Sequence, residues 1–223
     1  MQAVILAAGK GARLRPITHK TPKPLIDICG KPLIEHVLAA LPDSVDEIFI
    51  VMNHLREDLI AHLGVAWRGT PIRYVIQEPL SGTAGALYLL REDLHDSFLV
   101  VNGDDLYRKT DLERLAINDL AILFFPTDHD LKAAAQIMNG HFTGLGSGRN
   151  AVCGAYVLDH SFFDVAPVEI QVSEFTEYGL PQTLAVLSKT KHIAGVQAHF
   201  WMPVGTAQEL ETARNCFSVK KLS

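Results

Sequence analysis

The chain has 223 residues, 48% of them hydrophobic, and a net charge of −5 from 20 lysines and arginines against 25 aspartates and glutamates. That length suits one large domain, or a domain with a small annex, and supplies ample material for a buried core. The acidic balance leaves no nucleic-acid or membrane footprint, whereas a nucleotide-sized ligand needs only a local basic pocket.

Met1 leads straight into QAVILAA, with no basic stretch and too short an apolar run for a membrane helix. A buried strand, Ala3–Ala7, is the simpler expectation. Cys29, Cys153 and Cys216 are odd in number, widely spaced and free of any C-x-x-C pattern. Reduced thiols in a soluble cytoplasmic protein fit better than a disulfide framework or a structural zinc site.

The strand runs through Leu6, Ala7 and Ala8 into LAAGKGARLRPITHKTPKPL, Leu6 to Leu25. Backbone N–H groups around Gly9 and Gly11 can approach a phosphate closely because no side chain intervenes, and Arg13 and Lys23 add positive charge. A dinucleotide fingerprint would need glycine at Leu14, and a P-loop would need a Gly-Lys-Ser/Thr that is absent. Two glycines could merely shape a turn. A turn does not require those cations.

Next come a helix over Pro32–Leu41, a strand over Glu47–Met52, a helix over Arg56–Leu63 and a strand over Ile72–Gln77. The segment QEPLSGTAGAL, Gln77 to Leu87, ends that strand and opens a helix over Thr83–Leu90. Gln77 carries both donor and acceptor groups suited to a base edge, Gly82 lets a flat ring approach the backbone, and Thr83 could cap the helix. A plain strand–turn–helix junction explains the glycine and threonine equally well. A fourth strand, Ser97–Val101, runs into Asn102, Gly103, Asp104 and Asp105. One aspartate suits Mg²⁺ held against a nucleotide, and a solvated loop or helix cap is the alternative. Asp104 is the better candidate because it follows the strand more closely.

This alternation implies a doubly wound α/β fold: a mostly parallel mixed sheet with helices on both faces, Rossmann-like. In the order 3-2-1-4, the loop at Gly9–Arg13 and the segment Val101–Asp105 meet at the switch point where such sheets bind ligands. The second half is less regular, with strands over Leu120–Phe125, Val152–Leu158 and Ile193–Ala198 and helices over Pro181–Leu187 and Ala207–Phe217. Residues Gly140–Asn150 read as a glycine-rich loop or hairpin region. The expectation is a single domain over 1–223, with a nucleotide-binding half (1–119) and a sugar- or acceptor-binding half (120–223). The ten histidines show no metal spacing, and no G-x-S-x-G elbow is present.

The run LAAGKGARLRPITHKTPKPLI resembles the signature of the sugar-1-phosphate nucleotidyltransferases, and Gln77 with GTAGAL, Gly103-Asp104, EYGLPQTL and FWMPVGT continue the match in order. The resemblance implies transfer of a nucleotidyl group from a nucleoside triphosphate to a sugar 1-phosphate, with Mg²⁺ and release of pyrophosphate. It implies Arg13 and Lys23 as catalytic residues and Asp104 as metal ligand. Leu6, Ala7, Ala8, Gly9, Gly11, Gln77, Gly82, Thr83, Asn102 and Gly103 would bind the nucleotide, and Glu177, Gly154 and Arg149 the acceptor. Two departures stand out. Pro203 occupies the place of the family's second metal aspartate, and LGSGR stands where a glutamate-lysine-proline is usual, with Arg149 as the available cation. A cytidylyltransferase acting on a non-sugar phosphate such as phosphocholine, and a binding homologue with impaired catalysis, remain open alternatives. No nucleic-acid or membrane partner is expected, and the sequence specifies no oligomeric state.

Overall fold

The computed structural model describes residues 1–53, 56–172 and 175–219. The first half contains β1 (Gln2–Leu6), β2 (Asp27–Ile28), β3 (Lys31–Pro32), α1 (Leu33–Ala40), β4 (Glu47–Met52), α2 (Arg56–Leu63), β5 (Ala66–Trp67), β6 (Thr70–Ile76), α3 (Gly82–Tyr88), β7 (Phe98–Asn102), β8 (Asp105–Tyr107) and α4 (Lys109–Ala116). The second contains β9 (Ala121–Met138), β10 (His141–Leu158), β11 (Glu169–Val172), β12 (Phe175–Tyr178), α5 (Leu180–Leu187), β13 (Ala194–Gln197), β14 (Trp201–Pro203) and α6 (Ala207–Val219).

One eight-stranded sheet runs in the order β13-β9-β10-β7-β1-β4-β6-β5. Strands β6, β4, β1 and β7 are mutually parallel, which is the 3-2-1-4 order anticipated from the sequence. The sheet continues into the second half through β10, antiparallel to β7. Side chains alternate across the central strands. Ala3, Ile5, Ile48, Ile50, Leu99 and Val101 face one apolar layer, completed by α1, α2 and α4. Val4, Phe49, Val51, Phe98 and Val100 face the other, completed by α3 and α5. Burial on both faces is why these strands read as unbroken apolar runs.

A third, smaller cluster joins Leu14, Ile26, Ile28, Leu33, Leu106, Val204, Leu210 and Ala213. It packs the glycine loop against β8, α6 and the turn after β14. Leu14, at the position that a dinucleotide fingerprint would give to glycine, is therefore a core residue at 1% exposure.

Gly140–Asn150 differs from the loop reading. From His141 onward it is strand, paired with β9 in an antiparallel ladder of two 18-residue strands whose register shifts four times. Asn139 and Gly140, both at positive φ, make the connecting turn. Pro126 and the polar run after it suggest that the strand stops at Phe125, but bulges accommodate such interruptions at a sheet margin. Helix α4, the β11–β12 hairpin and the β8–β14 ribbon had no counterpart in the sequence reading.

Candidate active site

The C-terminal ends of β1, β4, β6 and β7 open into a cavity of about 780 Å³. Their ends are level: Leu6 registers with Val51 and with Asn102. Cross-strand bonds continue into the loops, from Ala7 N–H to the Val51 carbonyl (2.8 Å), Gln77 N–H to Met52 (2.9 Å) and Gly103 N–H to Leu6 (2.9 Å). The floor of the cavity is thus set by the sheet, while the residues that leave it supply chemistry.

From β1 the loop carries Gly9, Lys10 and Gly11 along the cavity. Gly11 has φ 61°, and a Cβ there would lie 2.8 Å from Thr18 Cγ2, so only glycine fits. Thr18 Oγ1 donates to the Gly11 carbonyl at 2.8 Å and folds the loop back, bringing Lys23 underneath it. Lys23 is 8% exposed, and its ammonium pairs with the Asp104 carboxylate across the β1/β7 switch point. Arg13 does not line the cavity. Its Nη2 lies over Gly205, whose missing side chain leaves room for it, in the turn following β14.

Asp104 is 39% exposed at the cavity, whereas Asp105 is buried in β8. Burial, reinforced by the neighbouring Asp104 charge, pushes the Asp105 carboxyl up to about 8, against opposing contributions from the Trp201 indole, Asn102 and Lys23. The Trp201 N–H lies close enough to favour the charge but makes no hydrogen bond. Asn102 Nδ2 donates to Asp105 Oδ2 at 3.2 Å. Gly154 lies against Asn102, and a Cβ there would come within 2.0 Å of Nδ2. Gly154 thus makes room for Asn102 and does not itself line the cavity.

Gln77 is 3% exposed, and its Nε2 donates to Ser81 Oγ (3.0 Å) and the Gly82 carbonyl (2.8 Å). Its donor half is therefore committed to the turn, which leaves the amide oxygen for a ligand. Gly82, at φ 81°, abuts β12: a Cβ would meet the Tyr178 carbonyl at 2.6 Å and Glu177 Cβ at 2.8 Å. Thr83 does not cap α3, whose N-cap is Ser81; its hydroxyl accepts from Leu180 N–H at 3.0 Å and ties α3 to α5. Glu177 lines the cavity from β12. Arg149 lies elsewhere, 63% exposed on β10 and paired with Asp130 at 3.1 Å.

Leu6, Ala7, Ala8, Gly9, Gly11, Lys23, Gln77, Gly82, Thr83, Asn102, Gly103, Asp104 and Glu177 therefore share one cavity, while Arg13, Gly154 and Arg149 stand outside its lining. Sequence reading overlooked Asn53, Val172 and Phe175, which also line it. Asn53 directly follows the β4 run, so the rule that singled out strand ends applied to it as well. No periodicity announces the four-residue strands that carry Val172 and Phe175. The donor set fits Mg²⁺ carried by a phosphate chain. Asp104 presents one accessible carboxylate, and no group of three or more metal-ligating side chains exists among the described residues.

Such a sheet, with a glycine loop and a lysine–aspartate pair meeting across its switch point, defines a doubly wound α/β protein. Residues 2–130 match the nucleotidyl transferase family, and the chain belongs to it. The bifunctional protein GlmU of Methanococcus maripaludis strain C7 is 29% identical over 236 residues, covering 100% of this chain and 56% of that protein. Mannose-1-phosphate guanylyltransferase 1 of Arabidopsis thaliana is 30% identical over 251 residues, covering 100% and 67%. The chain spans about half the length of the GlmU relatives it matches. The crystal structure of a putative glucose-1-phosphate thymidylyltransferase from Bacillus anthracis superposes with a TM-score of 0.84 at 23% identity, over 100% of this chain and 97% of that one. That likeness carries the fold.

Proposed function

We propose that the protein transfers a nucleotidyl group from a nucleoside triphosphate to a sugar 1-phosphate, forming a nucleoside-diphosphate sugar and pyrophosphate. The observation that carries this reading is the meeting of Lys23, on the phosphate loop, with Asp104 across the switch point. An anionic oxygen of the acceptor phosphate attacks the α-phosphorus, and the α–β bridging P–O bond breaks with its electron pair leaving on pyrophosphate. The nucleophile is already ionised, so no general base is needed, and catalysis reduces to alignment and charge neutralisation.

Lys23 neutralises the α-phosphate and the incoming acceptor phosphate, and N–H groups of the Gly9–Gly11 loop hold the triphosphate. Arg13 stands outside the cavity lining, over Gly205, and reaches the leaving pyrophosphate only if its guanidinium turns toward the loop. Mg²⁺ held between Asp104 and the phosphates would supply further neutralising charge when bound. The free amide oxygen of Gln77 accepts from an imide N–H, which favours uracil or thymine, and Glu177 accepts from a sugar hydroxyl. The odd number and wide spacing of Cys29, Cys153 and Cys216 support a reducing compartment such as the cytoplasm. No described helix is long and apolar enough to cross a membrane.

Pro203 motivates a second reading, a binding homologue without turnover. It registers opposite Asp105 on β14 and offers no side-chain ligand. A matrix of the common nucleoside triphosphates against sugar 1-phosphates, with Mg²⁺ and pyrophosphate detection, separates the two. Release with a uracil or thymine triphosphate supports transfer; tight nucleotide binding without release on any acceptor supports the binding homologue.

A further inference from the structure

We propose that Val172 and Phe175 form an apolar wall for the acceptor, so that the preferred sugar 1-phosphate carries a small apolar substituent: an acyl group, an alkyl ether or a deoxy carbon. This rests on the transferase reading above and deepens it by naming the acceptor class.

The wall follows from strand register. In the β11–β12 hairpin Ile170 is opposite Glu177 and Val172 is opposite Phe175. Alternation along a strand puts Phe175 on the same face as Glu177, and the cross-strand pair brings Val172 to that face. All three line the cavity. Phe175 is 69% exposed and Val172 41%, while the core of the chain buries its large apolar side chains almost completely. Phe175 is the single aromatic residue among the described residues that line the cavity. Exposed apolar side chains that line a cavity mark a surface that a ligand covers.

The hairpin is held firmly where Glu177 sits. Tyr178 N–H donates to the Ser81 carbonyl at 2.8 Å, and Gly82 is forced to lack a side chain by the closeness of Glu177 and Tyr178. One rung outward, about 7 Å along the strand, lies the Phe175–Val172 pair. A sugar ring whose hydroxyl reaches Glu177 therefore directs its next substituent at hydrocarbon. Leu80 and Pro79 extend the apolar lining. Among the described residues the Phe175–Val172 pair offers a hydroxyl only hydrocarbon, whereas a methyl or acetyl group is covered by it. The nucleobase is served from another quarter, by Gln77 and Asn53 at the ends of β6 and β4. The wall thus falls to the acceptor.

The test uses matched acceptor pairs, each a sugar 1-phosphate and its N-acetyl, O-methyl or deoxy counterpart, with choline phosphate included. For the wild-type protein kcat/KM should favour a substituted member by about tenfold or more. Phe175→Ala should bring that ratio to within about threefold while leaving the KM for the triphosphate unchanged; Val172→Ala should act in the same direction, and Phe175→Leu should keep most of the preference. Turnover without preference between the members of every pair overturns the wall but leaves the transferase reading standing. An unchanged ratio with a raised triphosphate KM in Phe175→Ala also overturns it, assigning Phe175 to the nucleotide. Choline phosphate as the best acceptor overturns it in favour of a cation-binding site, and pyrophosphate release with no acceptor at all overturns both readings.

Discussion

In the proposed transfer, Lys23 concentrates the chemistry in one side chain. It is nearly buried, yet its partner Asp104 stays accessible, so the pair sits at the boundary between packing and catalysis. Lys23→Ala removes a charge and leaves a carboxylate that water can still reach, which makes the expected effect on folding small. Turnover should fall by at least about 1,000-fold, with circular dichroism and the melting profile close to wild type. Normal activity in that variant would remove the lysine from the mechanism. Gly82 presents the opposite case, where backbone shape matters more than charge. Gly82→Ala forces a side chain onto positive φ and into the Tyr178 carbonyl 2.6 Å away. It should cost about 2 kcal/mol of stability and raise the acceptor KM, because Glu177 is displaced with β12. Both residues were visible in the sequence for chemical reasons. Arg149 and Gly154 were chosen by position along the chain, and the bulged β9–β10 ladder carries Arg149 away to Asp130.

Among the elements, α4 is tied to the β13–β14 connection by the Asp111 carboxylate and by Arg114, which donates to the Gln197 carbonyl at 2.7 Å. Asp111 has no exposed surface and accepts from Arg114 (2.7 Å), the His199 ring (2.8 Å), and the backbone N–H groups of His199 (2.9 Å) and Phe200 (3.0 Å). Its cover is one layer thick, since Arg114 and His199 are themselves 41% and 61% exposed. Burial opposes the charge, but these four donors outweigh it and hold the carboxyl below its ordinary value. A depressed acid adds stability that is fully present above the unfolded-chain pKa of about 4 and is lost as pH falls through the folded value. Asp111→Asn should therefore lower stability by about 2 kcal/mol at pH 7, with the gap to wild type closing below about pH 4 in urea unfolding. A gap independent of pH would contradict the assignment. This element also shows what sequence reading loses. Strands β1, β4 and β7 are apolar on both faces, so their pattern survives without context. Helix α4 is two turns long with a buried aspartate, and the β11–β12 strands are four residues each, so tertiary contacts rather than periodicity define them.

At the scale of the whole molecule, the sheet order places the ends of β1 and β7 side by side, and that adjacency brings together Lys23 and Asp104, 81 positions apart. The same geometry makes the fold responsive to its ligand. In the proposed site a triphosphate would bridge the Gly9–Gly11 loop, Lys23 and Gln77 in the folded chain alone, so it should raise the melting temperature. At one hundred times its dissociation constant the shift is expected to be on the order of 5–10 °C, larger for uracil or thymine triphosphates than for adenine or cytosine ones. Equal shifts for all bases would remove Gln77 as the reader of the imide edge. The central claim concerns the fate of the α-phosphorus. Phosphorus NMR of the protein with Mg²⁺, a uracil or thymine triphosphate and a substituted sugar 1-phosphate follows it directly. The predicted result is a pair of coupled diphosphate resonances from a nucleoside-diphosphate sugar, growing in step with pyrophosphate. Formation of nucleoside diphosphate and inorganic phosphate, or an unchanged spectrum from a protein that binds the triphosphate, would contradict it.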